Sequence, residues 1–122
     1  MSTFKYFNVS TTAETELAAI ETVNKTGTYP YTGIGVAILG PPKYVTMCNK
    51  DASGDDCVVE LFIENTSATP ATVHILHDTI IPSGATLILE EPELNYDTTV
   101  YALKFKLTSV AATQLVDIKV EY

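Results

Sequence analysis

An alternation of period two, recurring along most of the chain, does most to constrain the fold. Thr99, Tyr101, Leu103, Phe105 and Leu107 interleave with Val100, Ala102, Lys104 and Lys106. Successive side chains of an extended strand point to opposite faces, so the first set is read as buried and the second as wet. Val116, Ile118, Val120 and Tyr122 alternate in the same way with Asp117, Lys119 and Glu121. With a turn at 108–113 between them, the two segments read as a hairpin, with Lys104 and Lys106 across from Asp117, Lys119 or Glu121. Upstream, Cys57–Glu64 sets Cys57, Val59, Leu61 and Ile63 against Val58, Glu60, Phe62 and Glu64. Residues 71–77 set Val73, Ile75 and His77 against Thr72, His74 and Leu76, and residues 85–90 set Leu87 and Leu89 against Thr86 and Ile88. Tyr44–Asn49 and residues 35–39 are shorter, more continuous apolar runs.

Turn residues punctuate these segments: Gly40-Pro41-Pro42, Ser53-Gly54-Asp55, Thr69-Pro70, Pro82-Ser83-Gly84 and Asn95-Tyr96-Asp97. Short strands at this spacing, rich in Thr, Val and Ile, predict an all-β fold: an antiparallel, jelly-roll-like β-sandwich of about eight strands. At 122 residues the chain makes one domain, 1–122, with 1–31 an N-terminal arm or edge strand. Within that segment Phe4–Val9 reads as an edge strand. Thr11-x-x-Glu14 fits a capping box opening a short helix, but four nearby threonines favour a strand. Residues 24–33 form a polar loop.

Charge narrows the partners. The net charge is -8, and all seven basic residues are Lys, with no Arg. An acidic surface repels a polyanion, and Arg is the preferred fork for phosphate, so nucleic acid is not expected as a partner. No apolar run reaches the roughly 18–20 residues of a membrane-spanning helix. The first residues lack the pattern of a signal peptide, which predicts synthesis in a reducing compartment with Cys48 and Cys57 as free thiols.

Several residue sets suggest chemistry. Asn49, Asp51 and Ser53 place oxygens at the first, third and fifth positions of a calcium-type loop, with Gly54 at the sixth, Asp55 next to it and Glu60 at the twelfth. An EF-hand needs flanking helices, however, and both flanks read as strands. The expected structure is a hairpin loop with Gly54 at positive φ and solvated aspartates, leaving a weak metal candidate. His74 and His77, the only histidines, fall on opposite faces of a strand and so would not chelate one metal. His77-Asp78 lacks a nucleophile that the sequence places beside it; Ser83 and Cys48 are brought there only by assumption. Glu90, Glu91 and Glu93 read as a solvated turn, and Gly33-Ile34-Gly35 is too short for a phosphate loop. Phe4, Tyr6, Phe7, Tyr29 and Tyr31 are candidate interface residues, since aromatic side chains anchor interfaces. No catalytic constellation and no cofactor are expected.

The run from Ile80 through Pro82-Ser83-Gly84-Ala85-Thr86-Leu87 to Leu89 leads through an acidic loop to Asn95-Tyr96-Asp97-Thr98-Thr99 and Val100-Tyr101-Ala102-Leu103-Lys104. This pattern resembles the C-terminal half of small all-β virion proteins of tailed bacteriophages, particularly those of marine and cyanobacterial hosts. The likeness extends over residues 43–122. The resemblance implies a non-enzymatic structural protein, with capsid decoration (cement) ahead of a neck or tail component. It also implies the major capsid protein or other virion proteins as partners, a homo-oligomer such as a trimer, and a place in the virion after assembly in host cytoplasm. A carbohydrate- or calcium-dependent binding module is the alternative from another class.

Overall fold

The structure is a computed structural model that describes residues 3–21, 39–108 and 114–122. It contains eight strands among those residues: β1 (Phe4–Val9), β2 (Thr15–Ala18), β3 (Tyr44–Asn49), β4 (Cys57–Glu64), β5 (Thr72–Ile81), β6 (Thr86–Glu90), β7 (Ala102–Leu107) and β8 (Val116–Glu121). They form two four-stranded antiparallel sheets, ordered β1-β8-β3-β6 (sheet A) and β2-β7-β4-β5 (sheet B). This is the jelly-roll order, in which successive strands mostly alternate between sheets. Among the described strands only β4 and β5 are both consecutive and paired.

The core lies between the sheets and is built from the inward set of each alternation. Met47, Val45, Ile118 and Val120 of sheet A face Phe105, Leu103, Leu61 and Val59 of sheet B, all at most 2% exposed. Each such side chain contributes roughly 1.5–3 kcal/mol by leaving water. Residues 3–21 supply an edge strand to each sheet, with Val9 and Leu17 buried and a strand rather than a helix following Glu14. The rest of segment 1–31, including Tyr29 and Tyr31, lies outside the described residues, as do loop 24–33, the Gly33-Ile34-Gly35 motif, residues 35–38 and most of turn 108–113.

Two pairings differ from the sequence expectation. Strands β7 and β8 have the faces read from their alternation, but they lie in opposite sheets and form no hairpin. Lys104 instead stands across from Glu16 and Phe62, and Lys119 across from Tyr6 and Thr46. Alternation fixes which face is buried, not which strand lies alongside. Likewise β3 and β4 belong to different sheets, so residues 50–56 cross the sandwich instead of closing a hairpin.

Candidate functional site

The crossing loop was the first sequence candidate, and its geometry is that of a brace. The Asn49 side chain is fully buried, and its Nδ2 donates to the carbonyls of Ile81 (2.9 Å) and Asp55 (3.0 Å). Its Oδ1 accepts the Asp51 N–H at 2.9 Å. Asp51 is itself buried, contrary to the expected solvated aspartate, and its Oδ1 accepts the Ser53 N–H and hydroxyl, both at 2.8 Å. Asp55 Oδ2 lies 3.0 Å from the same hydroxyl. Gly54 does adopt φ 85°, as a tight turn requires. Glu60 lies mid-strand in β4 and contacts histidines of β5, so it does not close this loop as a twelfth-position ligand.

Those contacts form a cluster on the outer face of sheet B. His77 Nδ1 lies 2.9 Å from Glu60 Oε1, and His74 Nε2 lies 4.0 Å from Glu60 Oε2. The two imidazoles meet edge to face with centroids 4.9 Å apart. Far from occupying opposite faces, the histidines are neighbours, and the cause is the strand itself. Between Val59↔Thr79 and Leu61↔Leu76 strand β5 advances one residue more than β4, and it does so again before Phe62↔His74. Each extra residue is a β-bulge that inverts the alternation beyond it. Ile75 and Leu76 therefore both pack against the core, and His74 and His77 both turn outward. Asp78, between Leu76 and Thr79, absorbs the first of these irregularities at φ 47°, a left-handed conformation that Asp tolerates better than most residues. The adjacent apolar pairs Ile75-Leu76 and Ile80-Ile81, breaking the period, were the signal available in the sequence.

The cluster is held from below and open from above. Phe62, outward on β4 yet only 3% exposed, packs under His74 with centroids 5.3 Å apart. His77 is mostly exposed, and its Nε2 lies 3.4 Å from Asp78 Oδ2. On the neighbouring strand Lys106 stands across from Glu60, while Lys104 Nζ pairs with Glu64 Oε1 at 2.8 Å and Glu14 Oε2 at 3.4 Å. The hydrogen bond from Lys104 lowers the Glu64 carboxyl from its ordinary value and raises the ammonium in return. Neither Ser83 nor Cys48 joins His77. The Ser83 hydroxyl is directed at the Asp51 carbonyl, and Cys48 lies on sheet A.

The outer face of sheet A has a different chemistry. Its registers align Phe4, Glu121, Tyr44 and Glu90 in one row, and Tyr6, Lys119, Thr46 and Ile88 in the next. Phe4, Tyr6, Tyr44 and Ile88 are exposed, with Tyr6 at 72% and Ile88 at 59%, and the rings of Phe4 and Tyr6 stack. Phe7 instead points inward and packs partly buried against the core. A shallow groove of about 350 Å³ runs along Tyr6, Thr46, Cys48, Asp117 and Lys119. Cys48 and Cys57 are both free thiols; burial pushes the Cys57 thiol up from its ordinary value. Glu90, Glu91 and Glu93 are exposed, as a solvated turn would have them. No helix among the described residues is long and apolar enough to cross a membrane. No family model, curated protein or solved structure matches the chain.

Proposed function

We propose that this chain is a non-enzymatic structural subunit of a tailed-phage virion, acting as a capsid decoration protein that binds and stabilises the shell of the major capsid protein. One observation carries the reading. The outer face of sheet A presents Phe4, Tyr6, Tyr44 and Ile88 to solvent beside a shallow groove, on strands paired in an unbroken register. Exposed aromatic side chains on a rigid sheet are suited to a protein interface, because they bury large area at little cost in side-chain entropy. The sequence resemblance supports the choice of partner, and the jelly roll is a fold that capsid proteins use among other roles.

The test is size-exclusion chromatography with light scattering, on the protein alone and mixed with expanded tailed-phage capsids that lack it. The expected result is a trimer that co-elutes with capsids, with Tyr6→Ser and Ile88→Ser weakening loading while unfolding free energies stay within about 0.5 kcal/mol of the parent. A monomer that ignores capsids would overturn the decoration reading and move a neck or tail role to the front.

A further inference from the structure

We propose that Glu60, His74 and His77 bind one divalent transition-metal ion of the zinc class on the outer face of sheet B, leaving a coordination position open to solvent. The three groups place one carboxylate oxygen and two imidazole nitrogens within 4.8 Å of one another. Ligand bonds of about 2.0–2.1 Å at tetrahedral angles put neighbouring ligand atoms roughly 3.3 Å apart. His77 lies 2.9 Å from Glu60 Oε1 and His74 lies 4.0 Å from Oε2, on either side of that value, so side-chain rotations that draw the 4.8 Å group together by up to roughly 1.5 Å would complete the chelate. A contact between His77 and Glu60 alone would be an ordinary surface pair. The second imidazole, 4.0 Å from the other carboxylate oxygen, is what turns the pair into a three-donor group.

The donor set selects the ion. Two imidazoles and one carboxylate suit zinc and its first-row neighbours, whereas calcium and magnesium take shells of oxygen. The surroundings also fit. Phe62 packs under His74 and limits its rotation, and Asp78 Oδ2 lies 3.4 Å from the ring nitrogen of His77 that faces away from Glu60. A carboxylate on the far nitrogen orients a ligating histidine and raises its basicity. Lys106, across from Glu60, opposes a cation and sets a limit on affinity. Since the three ligands come from β4 and the edge strand β5, a bound ion would tie that edge to its neighbour across both bulges. The open position would accept water or a side chain of an adjoining subunit.

The experiment titrates Zn²⁺ into the full chain without an affinity tag, by calorimetry and by proton NMR of the imidazole C2–H signals. The chain has two histidines, so the signals are unambiguous. One ion per chain is expected, with both imidazole signals shifting together and saturating at equivalence. His74→Ala and His77→Ala should each weaken binding by at least the roughly 10–100-fold typical of losing a supporting carboxylate. Asp78→Asn should cost about tenfold and Lys106→Met should tighten binding, while Cys48→Ser and Asp55→Asn should leave it unchanged. Absence of binding, saturation with one or neither imidazole shifted, or parental affinity in His74→Ala would each overturn the proposal. The NMR readout uses the unmutated chain, so a variant that fails to fold does not decide the matter.

Discussion

The two sheets have the same number of described strands and share one core, yet they differ in regularity and in what their outer faces carry. Among the described residues the ladders of sheet A keep one register from end to end, and its outer face sets exposed Phe4, Tyr6, Tyr44 and Ile88 among Glu90, Lys119 and Glu121. Sheet B shifts register where β2 meets β7 and twice where β4 meets β5, and its outer face carries ion pairs and the histidine cluster. An unbroken ladder repeats one row of side chains and builds an extended surface. A bulge brings together residues that alternation would separate, and so builds a local site. The proposed protein partner falls on the regular sheet and the proposed metal ion on the irregular one.

The largest predicted effect tests what the sheets have in common. Phe105 is fully buried at the centre of β7, and Phe105→Ala should cost about 3–5 kcal/mol in a denaturant titration. Because one core serves both sheets, the loss should appear as a single transition. Separate transitions for the two sheets would break the comparison by making them independent units.

A smaller effect should separate the sheets. Asp78→Val places a β-branched residue at φ 47°, which should cost about 1–2 kcal/mol. Thr46→Val, on the regular β3 strand, should change stability by no more than about 0.5 kcal/mol. Equal effects from the two substitutions would remove the distinction between a strained and an unstrained sheet.

The smallest effect concerns the Lys104–Glu64 pair, both about one-fifth exposed. Lys104→Met should cost about 1 kcal/mol at neutral pH, the upper end for a pair still in contact with water. The folded state lowers the Glu64 carboxyl below its ordinary 4.5, so its contribution is complete above that pH and disappears as the pH falls through the lowered value. Lys104 is raised above 10.5, so its contribution is complete below that pH and disappears as the pH rises through the raised value. The difference between Lys104→Met and parent should therefore be largest between those limits and shrink in acid, measured as urea midpoints across pH. A difference independent of pH would assign the effect to lost packing of the lysine stem.

Most of the sandwich was legible because burial imposes alternation directly on sequence. Cys57, Val59, Leu61 and Ile63 read inward and are inward, as are Val116, Ile118 and Val120. Partner choice was not legible. Strands β7 and β8 are consecutive and both amphipathic, yet a jelly roll assigns them to different sheets, a decision made by the whole set of strands. The candidate site was hidden for a related reason. The separation of three between His74 and His77 puts them on opposite faces of any uniform strand, and only the doublet Ile75-Leu76 and the turn-tolerant Asp78 betray that β5 is not uniform. For the calcium-like loop, the spacing was present in the sequence but the Asn49 amide is engaged in bracing the backbone.

The central claim is that bulges in β5 bring its two histidines to one face, and proton NMR of the metal-free chain tests it most directly. With ring centroids 4.9 Å apart, a nuclear Overhauser contact between the imidazole protons of His74 and His77 is predicted, together with contacts from His74 to the Phe62 ring. A His74 contact to Phe62 with none to His77, accompanied by burial of the His77 ring against the core, would show an unbulged strand and contradict the account.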